Sequence, residues 1–201
     1  MEDLKNICNS ILERVATLEK RPLLIAIDGR CASGKTTLAG MLKDILCCNV
    51  VHMDHFFLQP HQRTTERLQE PGGNVDYERV LEEVLLPLSK GETAVYRFFD
   101  CHKQDFGEEI VLQPADIIIV EGSYACHPVL RSYYDLKIFL TVEPEEQLCR
   151  IELRNGADAA DVFREKWIPL EEAYFAQLKV AEESDIVMDV SSKMERTNEK
   201  Q

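Results

Sequence analysis

A run of apolar residues, Leu23-Leu24-Ile25-Ala26-Ile27, leads through Asp28 into Gly29-Arg30-Cys31-Ala32-Ser33-Gly34-Lys35-Thr36-Thr37. Gly29, Gly34, Lys35 and Thr36 satisfy the pattern G-x-x-x-x-G-K-[ST] in full. Each fixed position has a physical task. The glycines let the backbone wrap a polyphosphate closely, with the N–H groups of residues 29–37 turned toward its oxygens. A helix starting near Lys35 adds the positive end of its dipole. Lys35 is placed to reach the β- and γ-phosphates, and the Thr36 hydroxyl to coordinate Mg²⁺. The flanks agree with this, an apolar strand before and a helical pattern after. The segment predicts a site for ATP or another nucleoside triphosphate.

The rest of the chain fits one α/β domain. At 201 residues it is long enough for a large core and a little short for two. Leu4, Ile7, Cys8, Ile11, Leu12, Val15 and Leu18 recur at helical spacing, so residues 3–19 read as an amphipathic N-terminal helix within 1–20. Strands are expected at 23–28, 49–53, 93–98, 116–120, 136–142 and 185–190, and helices at 35–46, 77–89, from Pro144, and over 160–182 with an interruption near Pro169. Residues 58–75, with Pro60, Pro71, Gly72 and Gly73 among polar residues, read as a mobile loop. The segment after Lys193 reads as a frayed tail over 193–201. Alternating strands and helices, with strands that are nearly all apolar, imply a mainly parallel sheet of five or six strands covered on both faces, a three-layer sandwich.

Bulk properties narrow the function. The formal net charge of −13 argues against nucleic acid or an anionic membrane as partner, because phosphate backbones need a cationic footprint. It leaves room for a local cation cluster around ATP. No run of 18 apolar residues and no basic-then-apolar leader is present, and none of the seven cysteines forms a C-x-x-C pair. The expectation is a cytoplasmic protein with reduced thiols. Cys31, inside the loop, reads as a tolerated small residue, with redox sensitivity as the alternative. The expected partner is a small molecule; a homo-oligomer stays open.

In parallel sheets ligands gather at the carboxyl ends of strands, and four acidic residues fall there. Asp54 follows Val50-Val51-His52-Met53 and is placed to accept a proton from an attacking hydroxyl; the alternative is a turn or helix cap. Glu121 follows Ile117-Ile118-Ile119-Val120, a Walker-B-like pattern suited to holding Mg²⁺ through its water shell; the alternative is a buried acid bonded to the phosphate loop. Asp28 either joins that chemistry or braces the loop, and Asp100 is a candidate for a substrate hydroxyl. Arg150 and Arg154 lie four residues apart on one helical face, where guanidinium groups stabilise a transferring phosphoryl group, or else pair with Glu146 as a solvated surface.

These segments together resemble the uridine kinase-like group of P-loop kinases, which includes phosphoribulokinase-like and pantothenate kinase-like enzymes. The resemblance runs from about Leu23 to about Arg154. It rests on the phosphate loop, Asp54-His55-Phe56-Phe57, Arg97-Phe98-Phe99-Asp100, Val120-Glu121-Gly122, Asp135-Leu136-Lys137-Ile138-Phe139-Leu140 and the lid-like Leu148-Cys149-Arg150-Ile151-Glu152-Leu153-Arg154. It implies a kinase fold with a helical lid over 150–168, ATP as donor, Mg²⁺, a hydroxyl acceptor, Asp54 as base and Arg150 and Arg154 as lid contacts. Arg164 and Lys166 are further lid candidates.

The acceptor side departs from the family. Glu70-Pro71-Gly72-Gly73-Asn74-Val75-Asp76-Tyr77 replaces an N-x-D-H-P-like stretch, and Gln104 stands where the family has histidine, with His102 nearby. Arg63, within the acceptor-side segment 58–76, Asp100 and His102 are the candidate acceptor contacts; His55 is a candidate tuner of Asp54 or a space-filler. Trp167 and Phe175 are read as core residues rather than stacking platforms. A uridine- or cytidine-like nucleoside is the leading acceptor, with a vitamin precursor or sugar phosphate as alternatives. A regulatory GTPase lacks support, since no N-K-x-D element exists and Glu121-Gly122 replaces a D-x-x-G switch. An NTP-binding regulatory protein without kinase chemistry remains the other alternative.

Overall fold

A computed structural model describes residues 2–192; the expected frayed tail lies outside them. Five parallel strands form the main sheet in the order β2-β5-β1-β6-β7: β1 Leu23–Gly29, β2 Asn49–His52, β5 Ile117–Glu121, β6 Leu136–Thr141 and β7 Ile186–Asp189. β1 lies at the centre, every residue buried, because Leu23, Ile25 and Ile27 face one layer of helices while Leu24 and Ala26 face the other. The first layer is α1 Glu2–Ala16 and α2 Lys35–Leu46, contributing Ile7, Ile11, Leu38 and Leu42. The second is built by helices over residues 77–89 and 157–177, contributing Val80, Val84, Leu85 and Tyr174. Each Leu or Ile so buried stabilises the fold by about 1.5–3 kcal/mol before entropy is counted. The three-layer α/β sandwich expected from the sequence is present. No helix among the described residues is long and apolar enough to cross a membrane.

Four expectations need correction. The strand at 93–98 is longer, β3 Ala94–Asp100, and leaves the main sheet to pair antiparallel with an unforeseen β4 Asp105–Leu112. β4 has partly buried Phe106, Ile110 and Leu112 and exposed Asp105, Glu108, Glu109 and Val111, an alternation that is regular only over 109–112. The second strand ends at His52, and Met53–His55 turns as a short 3-10 helix that aims Asp54 sideways. The C-terminal helical region spans 157–177 rather than 160–182, and the irregularity expected near Pro169 lies just before it as a change of helix type, not a break. A π-helical turn over Phe163–Trp167 precedes the proline and absorbs the missing N–H within a continuous 157–177 helix.

The fourth correction concerns 58–75, which carries short helices rather than being loop throughout. It folds into a 3-10 turn Pro60–Gln62 and a short helix Thr65–Gln69 capped by the Thr64 hydroxyl. Arg67 is its hub. The guanidinium donates to the carbonyls of Gly73 and Val75, to the Tyr77 hydroxyl and to both oxygens of Glu78 at 2.7 Å, and it stacks 3.9 Å from the Tyr77 ring. Polar carbonyls that proline and glycine leave without ladder partners are thereby satisfied by one side chain. Arg67→Ala is expected to cost about 2–4 kcal/mol in urea denaturation, since it strands these acceptors. Lysine, a point charge, is not expected to restore the loss. Limited proteolysis should map the new cleavage sites to 58–75.

Candidate active site

The carboxyl ends of β1, β2 and β5 open into one cleft of about 1330 Å³. Its floor is the phosphate loop. β1 runs into Gly29 at φ +134°, where a Cβ would lie 2.0 Å from the Leu140 carbonyl oxygen, so only glycine lets the chain leave the sheet beside β6. Gly34 caps α2 in the left-handed region, and Cys31, Ala32, Gly34, Lys35, Thr36 and Thr37 face the cleft. Arg30 leans away, clamping Glu172 and the Val142 carbonyl, and the Ser33 hydroxyl is buried without a hydrogen-bond partner. Lys35 is only 8% exposed, and its Nζ rests on the carbonyl oxygens of Gly29 at 2.6 Å and Arg30 at 2.8 Å. The loop amides are not all turned to the cleft as expected: Gly29 N donates to Asp28, Arg30 N to the Leu140 carbonyl and Ser33 N to the Arg30 carbonyl, because those groups pin the loop to the sheet and close its turn. A cation parked on weak acceptors beside the remaining amides fits an incoming polyphosphate.

Asp28, directly before Gly29, braces this loop. It is fully buried and accepts hydrogen bonds from Gly29 N, Tyr124 N, Cys126 N and the Tyr174 hydroxyl. Burial pushes its pKa from an ordinary 3.8 to about 6, against the pull of those donors and of Lys35. Of the two roles open to it from sequence, bracing is what its contacts perform.

Glu121 lies directly across from His52 in the β2–β5 register. Its carboxylate receives the Thr36 hydroxyl at 3.2 Å and His52 Nδ1 at 2.5 Å. The bond to Glu121 raises the pKa of His52 despite burial. A threonine hydroxyl and a carboxylate side by side are hard oxygen donors, a set that fits Mg²⁺ completed by phosphate oxygens and water. Gly122, at φ +136°, lets the chain turn against Met53, where a Cβ would come within 2.7 Å.

Asp54 lines the same cleft and is exposed to solvent. Burial and then the charge of Glu121 raise its pKa, opposed by Lys35, His52 and Arg154. His55 packs between Tyr96, Phe98 and His52, and burial lowers its pKa.

The other predicted residues divide. Arg63 and His102 line the cleft; Arg63 is held by the Leu58 carbonyl through Nε and Nη2. Asp100 does not line it. Its carboxylate caps the turn after β3, accepting from the backbone of His102 and Lys103, because the hairpin needs those N–H groups satisfied. Arg150 and Arg154 both line the cleft but differ in freedom. Arg150 is held by Glu146 at 2.6 Å and by the carbonyls of Ala32 and Val190, the pairing weighed as its alternative. Arg154 bonds Asn155 alone among the described residues. Lys166 lines the cleft, whereas Arg164 pairs with Asp161 at the surface. Phe175 is core, packed on Phe139, but Trp167 lines the cleft, contrary to its assignment as core. Cys31 carries a thiol pushed up to about 12 by burial and then by Glu171, which disfavours its thiolate form.

Sequence reasoning missed His52, Ser123, Tyr174 and Glu171. Only His52 left a signal, standing at the end of β2 two residues before Asp54; the others act from positions remote in sequence.

The model of the Phosphoribulokinase / Uridine kinase family matches residues 24–157. The chain belongs to this family. Among curated members, the uridine kinase of Clostridium novyi is 30% identical over 67% of this chain and 69% of its own length. The uridine kinase of Clostridium botulinum (strain Kyoto / Type A2) is 28% identical over 68% and 70%. The solved structure of a possible uridine kinase from Bacillus stearothermophilus shares the fold, with a TM-score of 0.71 at 21% identity over 94% of this chain and 98% of that one. Family membership makes the chain a P-loop kinase, and its phosphate loop, Asp54 segment and Glu121 strand all lie within the matched span.

Because Asp28 holds its proton more tightly folded than unfolded, its contribution is favourable at low pH and declines as pH rises from about 4 to about 6. The stability of wild type relative to Asp28→Asn should therefore fall across that window, by on the order of 3 kcal/mol. Urea melts of both proteins at pH 4, 5, 6 and 7 measure it; a difference that rises with pH contradicts the assignment.

Proposed function

We propose that this protein transfers the γ-phosphoryl group of ATP to a hydroxyl of a small-molecule acceptor, a uridine- or cytidine-like nucleoside, with Mg²⁺ as cofactor. The observation that carries the reading is convergence: Lys35 and the loop amides, the Thr36–Glu121 pair, Asp54 and Arg154 all face one cleft. Phosphoryl transfer asks the protein for positioning and charge stabilisation more than for covalent chemistry, and these groups supply both.

In this reading the loop amides hold the polyphosphate, and Lys35 shifts from the Gly29 and Arg30 carbonyls onto the β- and γ-phosphates. Thr36 and Glu121 hold Mg²⁺, which neutralises charge on the phosphates when bound. Asp54 takes the proton of the acceptor hydroxyl as it attacks. Arg154 has the freedom to reach the departing phosphoryl group, and Arg150 joins it if Glu146 releases it. On the acceptor side, Phe57, Leu58, Leu68 and Val75 offer apolar walls, while Asn74, His102, Gln104 and Arg63 offer polar atoms. A flat base with polar edges suits that lining, and the names of the curated relatives support the nucleoside class.

Purified protein should phosphorylate uridine or cytidine when given ATP and Mg²⁺, read out as nucleoside monophosphate and ADP against a panel of hydroxyl acceptors. Lys35→Ala should lose both nucleotide affinity and turnover. Asp54→Asn keeps shape and cannot take a proton, so ATP affinity should stay within a few fold while turnover drops about 10²–10⁴-fold. Turnover should also fall as pH falls through the pKa of Asp54, with an acid limb above that of an ordinary aspartate. An Asp54→Asn enzyme that keeps wild-type turnover would remove the base assignment.

A further inference from the structure

The phosphate loop is already engaged by an anion of the protein itself. Cys31 N donates to Glu171 Oε2 at 2.9 Å, and the other oxygen of that carboxylate accepts from the Ser123 hydroxyl. Glu171 sits 140 residues further along the chain, on the 157–177 helix, and is 5% exposed while still lining the cleft. The next residue, Glu172, clamps Arg30 through Nε at 2.7 Å and Nη2 at 3.1 Å. Two residues further on, Tyr174 donates to Asp28 at 2.8 Å. One helix is thus fastened at three successive sites to the strand and loop that build the nucleotide cradle.

The three fastenings differ in kind. The Arg30–Glu172 pair points away from the cleft, and the Tyr174–Asp28 bond is buried beneath the loop. Only Glu171 uses a loop N–H that faces the cleft side. Backbone N–H groups of such a loop recognise anionic oxygen, and a carboxylate presents the same chemistry as a phosphate. A nucleotide and Glu171 cannot both use Cys31 N, and two anions at one cradle repel. Toward its N-terminus the same helix carries Phe163, Lys166, Trp167 and Leu170 into the cleft, and the π-helical turn over Phe163–Trp167 gives it an irregular, bendable segment just before Glu171.

We propose that Glu171 is a positioning residue that makes the placement of the 157–177 helix conditional on nucleotide at the phosphate loop. Without nucleotide the carboxylate docks on Cys31 and Ser123 and holds the helix in the observed place. Phosphate oxygens at the loop expel it. The stretch bearing Lys166 and Trp167 then moves over the cleft, while Glu172 and Tyr174 keep the far end attached. The proposal rests on the nucleotide-binding reading above and adds to it a residue beyond the span matched by the family.

Three proteins and one control test it: wild type, Glu171→Gln, which keeps shape and loses charge, Glu171→Ala, which removes the strap, and Glu172→Gln, which loosens Arg30 alone. ATP affinity is measured by calorimetry with a non-hydrolysable analogue and Mg²⁺, and amide exchange is followed over 163–172. Affinity should tighten about threefold in Glu171→Gln and about tenfold or more in Glu171→Ala, with no tightening in Glu172→Gln. KM for ATP should fall in the Glu171 variants without a rise in kcat. The analogue should alter exchange over 163–172 in wild type, and ligand-free Glu171→Ala should already show the altered pattern. Weaker or unchanged affinity in both Glu171 variants, with wild type binding normally, overturns the proposal and makes Glu171 a scaffold residue. Failure of wild type to bind the analogue overturns the nucleotide reading instead.

Discussion

Four donors converge on the carboxylate of Asp28 at the end of the central strand, where no solvent reaches it. A buried carboxylate is costly unless its lone pairs are filled, and here they are filled by three separate parts of the chain. Gly29 belongs to the phosphate loop, Tyr124 and Cys126 to the turn after β5, and Tyr174 to the 157–177 helix. Moving any of them leaves the others bonding to a poorly satisfied charge. The cleft inherits its shape from this knot, because the loop, the Glu121 turn and the C-terminal helix are the three walls that Asp28 ties together.

The cleft divides into a fixed half and an adjustable half. On the fixed side, β-sheet register sets His52 opposite Glu121, and the strand-to-helix turn sets Thr36 beside the same carboxylate. These distances follow from backbone pairing and leave little freedom. The adjustable side is held by side chains alone: Arg150 by Glu146 and two carbonyls, Arg154 by Asn155, Glu171 by one amide and one hydroxyl. A P-loop kinase needs that asymmetry, since its phosphates must be held in a set geometry while the lid must close and reopen.

The acceptor-side segment 58–75 shows why composition misleads. Prolines and glycines at this density read as a loop, yet one arginine collects the carbonyl groups of Gly73 and Val75. The arrangement depends on Arg67 meeting Tyr77 and Glu78, ten and eleven residues away, through a loop closure that no local window displays. β4 was hidden for a related reason. Its half-exposed alternation is legible only beside β3, whose Phe98 ring covers Gly107.

The sequence alone determined the features that short-range chemistry enforces: the phosphate loop, the parallel strands around it, and the delivery of Asp54 and Glu121 to strand ends. A loop that must wrap phosphate and a strand buried on both faces each restrict residue type position by position, so they are written in the order of residues. Tertiary structure decided what each side chain does once there. Asp28 became a brace and Asp100 a turn cap, because the donors that claimed them come from elsewhere in the fold. Trp167 turned into the cleft rather than the core, and Glu171 came to rest on an amide 140 residues away. Pairings of that kind depend on the packing of whole helices against the sheet, and the periodicity of one segment carries no record of which distant group will meet it.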